Sequence, residues 1–192
     1  MTNYTFLRTH HVVDGAPIAQ LTENEHALEL SSPANTLLQD FTMQTPVCIQ
    51  ADTPILAARK LASATPTDAL LVVDEQNKLI GVTSSVELQS VRVTTQALQM
   101  GLKPSELLVH DVMRSVHTLP CVAMKSVANT NLGTVLTTME HTGSFYLLVS
   151  ENAHIRGVFC ARKIAKELGI ALDITPVAQS FHDVVASVEH PH

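Results

Sequence analysis

The chain has 192 residues, of which 45% are hydrophobic and only 4% aromatic, and it contains no tryptophan. Its 18 acidic residues against 12 lysines and arginines give a net charge of −6, which argues against a protein that binds nucleic acid through a basic surface. The length suits one domain or two small ones with a packed core, and the hydrophobic content excludes a wholly disordered chain.

Nothing in the sequence suggests export or a membrane segment. The N-terminus has no apolar core of signal-peptide length, and every apolar run is shorter than the ~18–20 residues of a membrane helix. The three cysteines, Cys48, Cys121 and Cys160, lie far apart in apolar stretches, which is typical of reduced, buried thiols. We therefore expect a cytoplasmic protein that does not contact a membrane.

The chain contains two similar units joined by a linker. Residues 1–35 and the C-terminal end show little hydrophobic periodicity, whereas the region between them repeats one order of predicted elements. The segments we predict are an N-terminal arm at 1–35, a first unit at 36–91, a linker with short helices at 92–110, a second unit at 111–170 and a tail at 171–192.

Each unit reads as a strand, a helix, two strands and a helix. In the first unit, the continuous apolar run Leu70–Asp74 predicts a strand buried on both faces, and Leu79–Thr83 predicts its neighbour. Pro54 suits the first turn of the preceding helix, and Ser84 or Ser85 suits the cap of the following one. The corresponding segments of the second unit are Leu119–Met124, Thr130–Glu140, Tyr146–Ser150, Ile155–Phe159 and the helix candidate ARKIAKELG.

The alignment of the two units is open at their start. Placing Gly81 on Gly157, a shift of 157 − 81 = 76, aligns the units without a gap and brings Leu37 opposite Met113. A rival alignment sets Met43 opposite Met113 and needs an insertion of six residues in the second copy. The sequence alone does not choose between them.

The repeated unit resembles the cystathionine-β-synthase (CBS) domain. The resemblance is carried by three stretches: LLVVDEQNKLIGVTSSVEL, the preceding TPVCIQADTPILAARKLA, and HDVM at residues 110–113. Two such units in tandem resemble a Bateman module, as in stand-alone bacterial CBS proteins. The resemblance implies an α+β fold in which two β-α-β-β-α units, related by a pseudo-twofold axis, pack through their sheets with the helices outside.

The same resemblance implies a regulatory role. Clefts between CBS units often hold an adenosine compound, and the ligands we expect are AMP, ADP, ATP or S-adenosylmethionine. Such modules commonly form homodimers and regulate a partner, so we expect a homodimer and an unidentified protein partner.

The first cleft is predicted where the second strand of the first unit ends. The family pattern places glycine, two apolar residues, a hydroxyl, two variable residues and aspartate, and here Ser84 follows Thr83 at the hydroxyl position while Glu87 replaces the aspartate. A hydroxyl at a helix N-terminus suits a phosphate or sugar, and a carboxylate one turn later can accept bonds from both ribose hydroxyls. Adenine would lie against Val47 and Leu70. The alternative is that Ser84 only caps a helix and Glu87 is a solvated acid.

The second cleft departs from the pattern. Cys160 replaces the hydroxyl and Lys163 replaces the acid, and a lysine cannot accept bonds from ribose. Lys163 together with Arg162 would attract a phosphate instead, but loss of the ligand is the favoured interpretation, with Phe145 and Tyr146 filling the space of a base.

No catalytic or metal-binding constellation is evident. The sequence has no GxxxxGK, GxSxG or HExxH motif, and its ten histidines show no ligand spacing next to an acid. A nucleophilic role for Cys160 lacks a histidine partner. We therefore predict a non-enzymatic module that senses an adenine nucleotide, and the alternative is a dimeric interaction scaffold with vestigial nucleotide sites.

Overall fold

The computed structural model describes residues 27–65, 68–172 and 174 of the chain. The predicted N-terminal arm falls largely outside the described residues, and the tail beyond residue 174 falls wholly outside them. Within the described part, no helix is long and apolar enough to cross a membrane.

The first half of the molecule follows the predicted order of elements. Its two long strands form a hairpin whose turn includes Asn77 at a φ of 58°, a left-handed conformation that asparagine tolerates. Its elements are β1 (Gln39–Asp40), β2 (Cys48–Gln50), α1 (Ile55–Ala64), β3 (Leu70–Val73), β4 (Leu79–Thr83), α2 (Ser85–Leu88), α3 (Val91–Met100) and α4 (Val109–Val112).

The second half repeats the order with one addition. A short helix that the sequence did not predict separates its first parallel strand from its long helix. Its elements are β5 (Arg114–Ser115), β6 (Cys121–Ala123), α5 (Met124–Val127), α6 (Leu132–His141), β7 (Tyr146–Glu151), β8 (His154–Cys160) and α7 (Ala161–Leu168).

The strands of the described residues form two four-stranded sheets, in the orders β2-β3-β4-β5 and β1-β8-β7-β6. In each sheet the central hairpin is antiparallel and the first strand of the unit pairs with it in parallel. The edge strands are exchanged, because β1 completes the sheet of the second half and β5 completes that of the first. This exchange links the two halves through backbone hydrogen bonds.

Glycines stand where the exchanged edge strands cross the hairpins. A Cβ atom at Gly157 would lie 2.7 Å from the Gln39 carbonyl oxygen, and one at Gly81 would lie 2.8 Å from that of Arg114. Both distances are below any ordinary contact, so each crossing requires a residue without a side chain.

The core forms three layers that place the helices outside. One apolar cluster lies between the first sheet and its helices, and a second lies between the second sheet and its helices. The third cluster, which we call the midline core, lies between the two sheets. Its buried members are Ala69, Leu71, Val82, Tyr146, Leu148, Val158 and Cys160. The predicted α+β fold, with two units packed through their sheets, is confirmed.

The strand registers correct the ungapped alignment by one residue. Leu70 pairs with Thr83 in the first hairpin, and Leu147 pairs with Phe159 in the second. Leu70 is therefore the counterpart of Leu147, a shift of 147 − 70 = 77, although the glycines keep a shift of 76. The difference arises because five residues, 74–78, separate Val73 from its partner Leu79, whereas four, 151–154, separate Ser150 from its partner Ile155 in the second hairpin.

The structure also settles how the units begin. Gly81 lies against Met113, and Gly157 lies against Leu38 at the same place in the other sheet. Leu38 is therefore the counterpart of Met113. The alignment that used Met43 is wrong, and the ungapped alignment with Leu37 misses by a single residue.

Candidate functional site

Ser84 and Glu87 lie at the junction between β4 and α2, as the sequence predicted. Ser84 has an extended backbone and caps the helix, because its Oγ accepts a hydrogen bond from the Glu87 N–H at 3.3 Å. The interpretation of Glu87 as a solvated acid is wrong, since the residue is only 8% exposed. A buried carboxylate needs partners, and the fold supplies them from outside this helix.

Both oxygens of Glu87 are engaged. The hydroxyl of Tyr146, from β7 of the other sheet, donates a hydrogen bond of 2.7 Å to Oε2. Nε of Arg114, from the exchanged strand β5, donates one of 3.1 Å to Oε1 and forms an ion pair. The Glu87 side chain thus faces the space between the two sheets and ties the second sheet to the first unit.

Tyr146 is placed differently from the prediction. The sequence suggested that it fills the second cleft beside Cys160, but its hydroxyl reaches across the midline to Glu87, a residue predicted for the first cleft. The reason is that a side chain on the inner face of one sheet points toward the opposite unit. The residue is fully buried, and burial together with the Glu87 charge raises the pKa of Tyr146 well above its ordinary value.

Two of the residues predicted for the first cleft face the other way. Leu70 and Thr83 pair directly across the hairpin and so share one face of the sheet, and Leu70 belongs to the core beneath the helices. They do not line the same space as Ser84 and Glu87, which corrects that part of the prediction. Val47 packs against the same helix-side core, and its carbonyl accepts from the Leu71 N–H.

Thr83 carries an unusual buried hydroxyl. The residue is fully buried, and its Oγ1 has no hydrogen-bond partner among the described residues. Its counterpart in the second half is Phe159, which fills the equivalent position with an aromatic ring. A hydroxyl thus stands in the first half where the second half is apolar, and its unmet bonding is unfavourable.

A small cavity lies next to the two partners of Glu87. The cavity beside Arg114, Phe145 and Tyr146 has a volume of about 10 Å³. This is close to the minimum for one water molecule, whereas small-molecule pockets span roughly 300–1,000 Å³. In this arrangement of the units, the Tyr146 hydroxyl takes one oxygen of Glu87 and Arg114 takes the other.

Open space lies on the other side, beside Lys163. A groove of about 510 Å³ runs between the start of the described chain, β8 and α7. Of the three residues predicted for the second cleft, only Lys163 lines this groove, because Tyr146 and Cys160 belong to the midline core. Its lining residues are Asn35, Leu38, Asp40, Met43, Gln44, Met124, Arg156 and Lys163.

The cations of this open groove already have carboxylate partners. Arg156 contacts Asp40 Oδ2 through Nε and Nη2, at 3.2 and 3.1 Å, and Glu151 through Nη1 at 2.6 Å. Although burial acts to raise it, hydrogen bonds from Thr42 and Arg156 hold the pKa of Asp40 below its usual value. Lys163 lies 3.7 Å from an oxygen of Asp68, a loose and solvent-accessible pair. An anionic ligand here would have to compete with these acids.

The contacts of Cys160 and Phe145 indicate that both side chains have packing roles. Cys160 is the counterpart of Ser84 at the start of α7, and burial raises the pKa of its thiol. A thiol with a raised pKa is not a thiolate at neutral pH, which disfavours a nucleophilic role. The guanidinium of Arg162 lies 4.2 Å from the centre of the Phe145 ring, so this arginine stacks on the ring.

Sequence reasoning missed Arg114. It lies in β5, directly after the HDVM stretch, and no motif relates it to Glu87, which is 27 residues away. The one available signal was indirect, because a buried acid requires a donor from somewhere in the fold. Within the part of the chain that the structure describes, no group of three or more histidine, cysteine or acidic side chains could hold a metal ion.

Comparisons with known proteins agree with this fold. Residues 38–91 match the family model of the CBS domain. The fold is similar to that of an uncharacterized conserved protein from Pyrococcus horikoshii, with a TM-score of 0.52, 18% identity, and coverage of 76% of this chain and 98% of that one. It is equally similar to a CBS-domain containing protein from Agrobacterium tumefaciens, with a TM-score of 0.52, 14% identity, and coverage of 75% and 98%.

A further solved structure, CBSX2 in complex with AMP, has a TM-score of 0.48, with 18% identity and coverage of 70% of this chain and 94% of that one. No curated protein matches the sequence significantly.

Proposed function

We propose that this chain, a CBS-domain protein whose two units pack as a tandem pair, is a regulatory module that binds an adenine nucleotide and performs no catalysis. The observation that carries the proposal is the position of Glu87. Its carboxylate stands at a helix start, on the midline between the sheets, and contacts the second unit through Tyr146. A ligand that engages this acid would alter how the two units pack.

The hydrogen bonding of Glu87 suits a ribose. Its two oxygens each accept one bond, from a hydroxyl and from an N–H group, and a ribose diol would offer two donors in their place. Arg114, once released from the acid, would be free to pair with a phosphate. The module would therefore exchange internal donors for those of a nucleotide.

The response would reach a partner through the arrangement of the units. A ligand shifts an equilibrium between two arrangements only by its differential affinity for them, and a contact that spans the midline provides such a difference. A cytoplasmic location and a protein partner that responds to the change in packing also belong to this proposal.

The proposed homodimer has a candidate surface on the helices of the first half. Leu56 of α1, Val86 of α2 and Leu98 of α3 are 50%, 57% and 75% exposed. Leu56→Glu should convert a dimer into a monomer in light scattering at micromolar concentration. Met43→Glu, at another exposed apolar residue, is the control and should leave the dimer intact. A monomer in the unmodified protein would contradict the homodimer.

A nucleotide panel tests the function. AMP, ADP, ATP and S-adenosylmethionine are added separately, and a ligand at about a hundred times its dissociation constant should stabilise the protein by roughly 2.7 kcal/mol in a thermal melt. Glu87→Ala should abolish the shift and Lys163→Ala should retain it. The reverse pattern would move the site to the open groove, and a panel without any shift would overturn the proposal.

A second candidate is a dimeric interaction scaffold with vestigial nucleotide sites. It is favoured by the internal donors on both oxygens of Glu87 and by the acid partners of the cations in the open groove. The scaffold predicts that no nucleotide shifts the melt even when the cleft is opened by Tyr146→Ala, while the dimer persists.

A further inference from the structure

The contact between Tyr146 and Glu87 exists on one side of the pseudo-twofold axis only. The strand registers make Ala69 the counterpart of Tyr146, and the helix starts make Lys163 the counterpart of Glu87. Neither an alanine side chain nor a lysine can reproduce a hydroxyl-to-carboxylate bond. The asymmetry therefore results from two side chains on one shared backbone framework.

We propose that Tyr146 is a gate to the first cleft, so that a ribonucleotide reaches Glu87 only when the Tyr146 hydroxyl has left it. The inference rests on the proposed function and names the internal competitor of the ligand. The competition is direct, because the hydroxyl occupies Oε2 of the acid that the ribose would need. The ring also occupies space beside the acid, since it is fully buried in the midline core.

The backbone around Tyr146 is fixed, which determines how the gate opens. The Ser144 hydroxyl donates to the Tyr146 carbonyl at 2.7 Å and accepts from its N–H at 3.3 Å, and the strand pairs with Cys160. The ring is enclosed by the midline core, so it cannot change rotamer without new space. That space appears when the two sheets separate, and entry of the ligand is thereby coupled to the packing of the units.

Arg114 is the second donor that a ligand at Glu87 would replace. It holds the other oxygen of Glu87 and is 24% exposed, so its guanidinium can turn to a ligand phosphate once the tyrosine has left. Both oxygens of the acid are then open to donors from the ligand. A ligand with two ribose hydroxyls fits this vacancy better than a 2′-deoxynucleotide, so the gate selects ribonucleotides by the donors that replace the phenol.

Affinity measurements test the gate. The dissociation constants of AMP and ATP are measured by calorimetry for the unmodified protein, Tyr146→Phe and Tyr146→Ala. Losing a hydrogen bond to a charged group should raise the affinity of Tyr146→Phe about tenfold or more, and Tyr146→Ala should raise it further because the ring is also removed. Tyr4→Phe is the matched control and should leave the affinity unchanged. Equal affinities in all four proteins would overturn the gate.

A spectroscopic measurement separates the gate from a purely structural role. The chain has two tyrosines and no tryptophan, so in Tyr4→Phe the ring of Tyr146 gives the only tyrosine signal. With ¹³C-labelled tyrosine, AMP should shift the resonance of the carbon that bears the hydroxyl, and Glu87→Gln should shift it without ligand. Binding of AMP with an unchanged resonance would refute the gate.

The two possible failures are distinguishable. If AMP and ATP bind all variants equally and the Tyr146 resonance stays in place, the gate is wrong and nucleotide binding stands. If none of AMP, ADP, ATP and S-adenosylmethionine binds any variant, including the Tyr146→Phe protein that retains the ring in the core, the proposed function fails and the gate fails with it.

Discussion

The two halves of the molecule have the same backbone fold but different side chains at the midline between the sheets. The first half ends its hairpin with Ser84 and a buried Glu87, whereas the second ends it with Cys160 and a Lys163 that is partly exposed. The acid has a partner in the opposite sheet, whereas the ion pair that the lysine forms with Asp68, among the residues the structure describes, is a loose one. A duplicated fold thus supplies two equivalent positions, and the side chains decide which of them joins the halves.

The two sides also differ in the open space they offer and in the partners of their charged side chains. In the first cleft both oxygens of the acid already accept internal hydrogen bonds, whereas the open groove beside Lys163 has a volume of about 510 Å³ but cations that are already paired. Under the proposed gate, the first side would bind a ligand by moving Tyr146, whereas a ligand at the second side would have to displace surface ion pairs.

The largest effect on stability is expected from Glu87 when it is compared with its counterpart Lys163. Glu87→Ala leaves the buried Tyr146 hydroxyl and the Arg114 guanidinium without their acceptor, and it should lower the free energy of unfolding by about 3 kcal/mol. Lys163→Ala removes an exposed pair and should cost about 0.5 kcal/mol or less. Urea unfolding measures both, and equal costs would contradict the asymmetry.

The exchanged edge strands should be equally sensitive in both halves. Gly157→Ala places a Cβ against the Gln39 carbonyl, and Gly81→Ala places one against that of Arg114, so each should destabilise by about 2 kcal/mol through overpacking. The control is Gly133→Ala in α6, where a Cβ would lie 3.3 Å from the Leu30 carbonyl oxygen and the gain in helix propensity offsets this tight contact, so the cost should be smaller. A tolerated alanine at either crossing would mean that the edge strand does not lie there.

Making the first half resemble the second should stabilise it. Thr83→Val keeps the shape of the side chain and removes a buried hydroxyl that has no partner among the described residues, so it should raise the free energy of unfolding by about 1 kcal/mol. Thr138→Val is the control, because that exposed hydroxyl donates to the Thr134 carbonyl. A loss of stability at Thr83 would show that its hydroxyl is bonded.

The smallest effect is expected in how stability depends on pH, through the carboxylate of Asp40. The pKa of Asp40 is lowered in the folded state, so its contact with Arg156 stabilises the fold above the pKa of an unfolded aspartate, about 3.9, and is lost as the pH falls through the folded value. The difference in stability between the unmodified protein and Asp40→Asn should therefore be present at pH 7 and vanish in acid. Ser115→Ala, at the uncharged counterpart in the other sheet, should show a difference that does not depend on pH.

Much of this fold was readable from the sequence because its local signals agree. The apolar run at β3 predicted a buried strand, and Ser84 predicted a helix start. The face of the strand was not readable, since a continuous apolar run has no alternation, and this is why Leu70 and Thr83 were assigned to the wrong side. A one-residue difference in turn length was hidden for the same reason.

The partners of Glu87 were beyond sequence reasoning. Tyr146 is 59 residues away and belongs to the other unit, so its contact depends on how two sheets stack. Arg114 arrives through an exchange of edge strands that no local pattern announces. Glu87 itself was predicted, because the sequence pattern that places it is local. Its hydrogen bonds from Tyr146 and Arg114 could be seen only in the folded structure.

The link between the halves is tested most directly by a double-mutant cycle on the unfolding of the ligand-free protein. The cycle compares Glu87→Gln, Tyr146→Phe and the double variant with the unmodified protein in urea. A direct hydrogen bond between the phenol and a buried carboxylate predicts a coupling energy of about 1.5–3 kcal/mol. A coupling energy near zero, with the two single effects simply additive, would contradict a contact between Glu87 and Tyr146.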